Sequence, residues 1–229
     1  MIISVVGFDP GQTTGYCVIG FKEEVLLGAN DSQDVLHKSL SYVTTGEIDC
    51  GATSPPGALN FGEDSGVDTM LSMCTRFSES PIVMEDFILD FNKADMARHT
   101  LSPVRVIAKF VYGLRQQYLM DIRQRHYEES IFIQNRSLPK TTCSDVRLKE
   151  WGLYEMQPGG GGRHARDAVR HAYYFLRTCR GSDFKARENR HLGWPHIYPD
   201  PWLEEGKKAG AKAKAKGRKK IGQRIPGLG

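Results

Sequence analysis

A β-branched run that stops on an acid constrains this chain more than any other stretch. Ile2-Ile3-Ser4-Val5-Val6 leads through Gly7-Phe8 into Asp9. Pro10-Gly11-Gln12-Thr13-Thr14-Gly15 follows, then a second apolar run, Tyr16-Cys17-Val18-Ile19. Ile, Val and Tyr favour a pleated, buried surface, and Pro and Gly interrupt it. The pattern predicts strand, tight turn, strand, with Asp9 closing the first strand. A carboxylate held there, among small neighbours, is placed to bind a cation or a metal-bound phosphate. An Asp that only caps its turn is the plainer alternative.

Further along, Glu23–Leu27 reads as an extension of the second strand, and residues 29–41 as polar and irregular. Tyr42–Ile48 predicts a third strand. Val67, Met70, Leu71, Cys74 and Phe77 recur at helical spacing behind a cap at Asp64 or Ser65. Pro81–Ile88 is a short apolar run broken by Glu85 and Asp86, which predicts a buried central strand. An acid in such a strand is costly unless paired or bound to a cation. Adjacent residues face opposite ways, so only one of the two can join Asp9; the apolar run leads directly to Glu85.

A long helix is predicted from Ser102 to about Arg125, with Val104, Ile107, Ala108, Val111, Leu114, Tyr118 and Ile122 as its apolar stripe. Ile131–Gln134 is the last strand, and a short helix follows over about 142–151. Gln157 to Gly162 is a hinge, and Arg163–Leu176 is a helix packed through Ala165, Ala168, Val169, Ala172 and Leu176. His164 and Asp167, three apart, share another face, with His171 below them. An acid is also favoured in a first helical turn for its own sake.

The formal charge of +4 hides an asymmetry. Residues 206–229 hold seven Lys, two Arg and no acid, so residues 1–205 are net −5. A basic tail on a mildly acidic body invites a polyanion at the tail and some other activity in the body. The Lys/Ala/Gly run over 206–220 has no apolar face and is expected to be disordered when free. Residues 181–205 are read as a loop-like extension whose aromatics pack on the body or a partner. The chain therefore divides into a domain over 1–180, that extension, and the tail over 206–229. No run is long enough to span a membrane, and no signal peptide is expected. The five scattered cysteines form no CxxC pair, which argues for reduced thiols and a cytoplasmic setting.

Three strands with short connections should form an antiparallel meander, and the later strands, alternating with helices, should run parallel to the first. That brings Asp9, Glu85, His164 and Asp167 together. Carboxylates so close repel unless cations neutralise them. Oxygen ligands suit Mg2+ or Mn2+, and two such ions can activate water against a phosphodiester.

The set Gly7-Phe8-Asp9-Pro10-Gly11, Val83-Met84-Glu85 and His164-Ala165-Arg166-Asp167-Ala168 resembles the RuvC-type Holliday junction resolvases of the RNase H-like nuclease superfamily. The resemblance implies an α/β fold with a mixed five-stranded sheet flanked by helices. It implies a Mg2+-dependent endonuclease with two ions per site, Mn2+ able to substitute, and a homodimer cutting four-way DNA. Asp9, Glu85, His164 and Asp167 carry over as metal-binding and catalytic residues. Asp9 would bridge both ions, Glu85 and Asp167 would each hold one, and His164 would ligate a metal or orient and deprotonate the water. Arg105, Lys109, Lys140 and Arg163 are candidate phosphate contacts, and Lys212, Lys214 and Lys216 stand for the tail. Gly11 and Gly15 would keep the turn low, so that a DNA phosphate and its metals reach Asp9.

The longer 29–66 region, the tetraglycine and the tail depart from the bacterial pattern and suit a bacteriophage member. Three alternatives stay open: a nuclease for hybrids or flaps, a non-catalytic DNA-binding protein, and an ATPase using Asp9–Gly15 as a phosphate loop. The ATPase needs a second lobe and an adenosine pocket that the chain is too short to supply, so no nucleotide cofactor is expected.

Overall fold

The computed structural model describes residues 1–27, 33–51, 61–87, 102–120, 131–154, 162–203 and 205–206. Strand β1 (Ile2–Asp9) is the centre of a five-stranded sheet. β2 (Thr13–Lys22) returns antiparallel to it, with Asp9 opposite Gly15. After a short helix, α1 (Glu24–Leu27), and a 3-10 segment over Gln33–Ser39, β3 (Leu40–Asp49) pairs antiparallel with β2. Glu23–Leu27 thus leaves the sheet instead of extending β2.

Two glycines in this hairpin face aromatic rings across the strands. Gly20 lies opposite Tyr42, and Gly46 opposite Tyr16. A Cβ on either would fall into the facing ring, at 2.1 and 2.6 Å. Each ring covers the gap its partner leaves, which pins the register.

Helix α2 (Phe61–Arg76) leads to β4 (Ile82–Glu85), which runs parallel to β1. Helix α3 (Ser102–Met120) leads to β5 (Ile131–Gln134), parallel to β4. The strand order is β3-β2-β1-β4-β5, the mixed sheet expected of an RNase H-like α/β fold. Two short helices follow, α4 (Ser137–Thr142) and α5 (Asp145–Glu150), where one was expected. The Ser144 hydroxyl caps the second by accepting from the Arg147 N–H. Helix α6 (Arg163–Thr178) and helix α7 (Phe184–Gly193) complete the order.

Alternation along β1 splits the core in two. Ile3 and Val5, with Ile19 and Val83, pack under α6. Val6 and Phe8, with Val18 and Met84, pack under α2 and α3. On α3 the buried line is Val106, Phe110 and Leu114; of the predicted stripe Leu114 is buried and Ile107 packs against the core, but Val104 is 38% exposed. Arg105 clamps Glu63 of α2 through Nε and Nη2, at 2.9 and 2.5 Å from Oε1. Lys109 reaches Asp64 at 2.6 Å and Glu63 at 3.4 Å. Burial opposes ionisation of Glu63, but the Arg105 and Lys109 charges outweigh it and hold the carboxyl below its usual range. These two cations fix α3 on α2.

The segment after Cys179 is less loop-like than expected, because α7 is inserted into the body. Trp194, 1% exposed, donates from Nε1 to Ser4 O at 3.2 Å. The buried Arg190 donates to Gly181 O at 2.8 Å and Leu26 O at 3.2 Å. All five cysteines are buried and unpaired. Among the described residues no helix is long and apolar enough to cross a membrane. The tail, with Lys212, Lys214 and Lys216, lies outside the described residues.

Candidate metal centre

The face of the sheet under α6 decides which acids meet. Ile3 and Val5 lie on that face, so Asp9, in step with them, ends β1 there. Val83 shares that core, which places Glu85 on the same side and turns Asp86 to solvent. Helix α6 crosses both strands and brings Asp167. One carboxylate oxygen from each of Asp9, Glu85 and Asp167 lies within 4.8 Å of the other two. Asp9 is 7% exposed and Asp167 4%.

Close packing of α6 makes this possible. Ala165, Ala168 and Ala172 are buried against the sheet, and two glycines beneath leave room. A Cβ on Gly7 would meet Ala168 O at 2.8 Å, and one on Gly15 would meet the His164 carbonyl at 2.0 Å. Gly15 therefore admits the helix and not a substrate. At Gly11 a Cβ would meet Thr13 O at 3.3 Å, a tight contact but far milder than the one at Gly15.

Each carboxylate has a partner behind it. His164 sets Nδ1 2.7 Å from Asp9 Oδ2, on a side chain 43% exposed; in the tautomer that donates from Nδ1 to the carboxylate, a neutral ring keeps Nε2 as an acceptor. His171, wholly buried, sets Nε2 3.0 Å from Glu85 Oε2 and Nδ1 3.1 Å from Gln134 Oε1. Arg170 bonds Asp167 and Asp145 through its two terminal nitrogens and donates from Nε to Cys143 O at 3.0 Å. Lys140 lies inside α4, with Nζ 2.9 Å from Asp167 Oδ2 and 3.3 Å from Glu85 Oε2. Arg136 adds a longer contact, Nε to Glu85 Oε1 at 3.4 Å.

The charges are unevenly matched. Burial first, then the Glu85 charge, pushes the Asp9 carboxyl up to about 6 from an ordinary 3.8, against the bond from His164. Burial opposes Glu85 as well, but the His171 hydrogen bond and the Lys140 ammonium outweigh it and hold that carboxyl down. Asp9 is thus the acid with unanswered negative charge. Three oxygen donors around such a deficit suit a hard divalent cation, held by Asp9, Glu85 and Asp167.

Several of these groups escape a reading by motif. His171 follows Asp167 by four residues, so helical spacing alone puts it on the same face. Glu47 is less visible. It pairs with Gly15, which pairs with Asp9, so the three form one row across the sheet. Its Oε1 accepts from the His164 N–H at 3.2 Å, serving the start of α6, where the N-cap Gly162 has no side chain to do so. Arg163, the first residue of α6, is exposed.

Partners of ligating groups commonly set metal affinity by tens of fold. Replacing His171 with Ala is expected to weaken Mn2+ binding by ~10–100-fold, read by calorimetry on the DNA-free protein. Unchanged affinity in a folded variant would show that Lys140 and Arg136 suffice to place Glu85.

No protein-family model matches this sequence, and no curated protein matches it significantly. Among solved structures the chain is similar to T. thermophilus RuvC in complex with Holliday junction substrate, at 14% identity and a TM-score of 0.48, over 76% of this chain and 93% of that one. It is also similar to a second Thermus thermophilus RuvC structure, at 14% identity and a TM-score of 0.45, over 77% and 94%. Likeness at that level assigns no residue a role. What the site can do depends on its own side chains.

Proposed function

We propose that this chain is a divalent-metal-dependent endonuclease that cuts four-way or other branched DNA. The observation that carries the reading is the cluster itself: the buried carboxylates of β1 and α6 and the half-buried one of β4, within 4.8 Å of one another, with a histidine on the one whose charge is least compensated. Two Mg2+ ions, or Mn2+ in their place, would activate water and stabilise the leaving oxygen of a phosphodiester when bound. Asp9 lies between the other two groups in this scheme, with Glu85 and Asp167 on either side. His164, its Nδ1 fixed by Asp9, presents Nε2 to take the proton of the attacking water. Lys140 holds Glu85 and Asp167 apart from each other's charge and offers its ammonium to the phosphate.

Branched DNA is favoured over other phosphodiesters by the motif set around Asp9, Glu85 and His164–Asp167 in its resemblance to the RuvC-type resolvases. That resemblance also supports a homodimer that places two sites on the junction and cuts paired strands symmetrically. Lys212, Lys214 and Lys216 are assigned to salt-sensitive, sequence-independent contacts with the backbone. Arg105 and Lys109, matched by Glu63 and Asp64, are assigned to the fold instead.

A panel of four-way, flap, duplex and RNA–DNA hybrid substrates tests the proposal. The four-way substrate should be cut in Mg2+ and left intact in EDTA. Cutting of the hybrid or the flap alone would keep the metal centre and change the substrate. Binding of four-way DNA without any cutting would leave a DNA-binding protein.

A further inference from the structure

We propose that Lys140 is a built-in counter-ion: its ammonium stands in for a metal ion on Asp167, and it must let go before an ion shared by Asp9 and Asp167 can bind. The inference rests on the two-ion reading above.

The oxygens of the three acids are unequally engaged. Asp167 has both in use: Oδ1 is bonded to Arg170, and Oδ2 lies 2.9 Å from Lys140 Nζ. Glu85 Oε2 faces His171 at 3.0 Å and Lys140 at 3.3 Å, whereas its Oε1 meets Arg136 at the longer 3.4 Å. Asp9 is bonded through Oδ2 to His164. Asp9 and Glu85 can therefore take up a first ion with Lys140 in place. Asp167 joins a second only after one of its two cations leaves.

Of those two cations, Lys140 is the one that can go. The Arg170 side chain is 10% exposed and is tied to Asp167, Asp145 and Cys143 O. Asp145 also matches its charge. The Lys140 side chain is 26% exposed and reaches the acids on a flexible four-carbon stem. It lines an open cavity of about 420 Å³, so the ammonium has room to withdraw.

Charge favours loading in two stages. Asp9, Glu85 and Asp167 with the Lys140 ammonium and one divalent ion sum to no net charge. A second ion beside the ammonium would leave two positive charges in excess, and like charges that close repel. With the ammonium withdrawn and one phosphodiester present, three acids and two ions again sum to zero. Lys140 thus keeps the centre half-loaded until a phosphate arrives. Its release from Asp167 is also what frees the ammonium to meet that phosphate.

The experiment adds Mn2+ to the DNA-free full chain and counts bound ions by electron paramagnetic resonance. It compares the wild type with Lys140→Met, which keeps the length and removes the charge, and with Lys140→Arg, which keeps the charge. The wild type should bind one Mn2+ and a second far more weakly. Lys140→Met should tighten the second by on the order of tenfold or more, since a like charge a few ångströms away is gone. Lys140→Arg should not. A further measurement needs no variant: labelling of Lys140 by an amine-reactive reagent, read by mass spectrometry, should rise as Mn2+ fills the second site of the wild type. Weaker binding in Lys140→Met would show that the lysine only places the acids, and it overturns the proposal while the metal centre stands. So does an unchanged second ion in that variant, or labelling that Mn2+ does not alter. A wild type that takes up no Mn2+ overturns the metal centre as well.

Discussion

Asp9→Asn is expected to remove Mg2+-dependent cutting of four-way DNA by on the order of 10³-fold or more while leaving DNA binding within a few fold. The amide keeps the shape and can still bond His164, but it cannot neutralise a cation. The same substitution should make the metal-free protein more stable. The folded Asp9 carboxyl holds its proton up to about 6, against 3.8 ordinarily. Between those values the folded state binds more protons than the unfolded state, so stability falls as pH rises through the window and is flat above it. At pH 7.5 the buried charge costs on the order of 3 kcal/mol, which Asn does not incur. The variant's advantage in thermal denaturation should shrink below pH 6 and vanish near pH 4. Mn2+ should raise the melting temperature of the wild type at pH 7.5 and leave the variant unmoved. A metal-free variant less stable than wild type at pH 7.5 would mean that the His164–Asp9 bond outweighs the burial of the charge. A variant that still cleaved would end the assignment of the metal centre.

The second large effect comes from a residue with no side chain. Gly15→Ala would place a Cβ 2.0 Å from the carbonyl carbon and oxygen of His164 and 2.5 Å from Ala165 N. These are backbone atoms, so no rotamer change relieves the clash and α6 must rise off β2. A cost of ~3 kcal/mol or more is expected, at the upper end for overpacking. For a chain of this size that lowers the melting temperature by roughly 6–12 °C. Mn2+ binding should fall with it, because Asp167 and His164 are carried by α6. Gly11→Ala, four residues earlier in the same turn, is the comparison: its Cβ would meet Thr13 O at 3.3 Å, a tight contact that a shift of a few tenths of an ångström relieves, so a clearly smaller loss is expected. Equal effects at the two positions would place the demand for glycine in the turn and not under the helix.

The site was legible in the sequence wherever period alone decides direction. Val5, Gly7 and Asp9 alternate onto one face of β1, and Val83 with Glu85 does the same on β4. Glu85 could therefore be chosen over Asp86 without coordinates. Ala165, Ala168, Val169 and Ala172 likewise marked the buried side of α6, and the carboxylates met as that pattern requires. Helix α3 shows where period fails. It is apolar on more than one side: the predicted stripe met the core at Leu114, while Val104 faces outward and Val106 and Phe110 turn in. What rotated it is the pairing of Arg105 with Glu63, 42 residues away, and no local pattern displays such a match. Glu47 was hidden for the same reason, since its role exists only across two strand registers. Gly15 was noticed but read for the wrong neighbour: a missing side chain shows that something comes close, not what.

The bond between His164 and Asp9 joins positions 155 residues apart in the chain. Asp9, on β1, is synthesised well before α6. Until that helix docks, the carboxylates of β1 and β4 lack their third member, and Asp9 lacks its imidazole. Loop closure over such a span comes late in folding, after the local hairpin has formed. A nascent or truncated chain therefore carries the first two motifs without the third carboxylate. The cluster is completed in one step, with the finished fold.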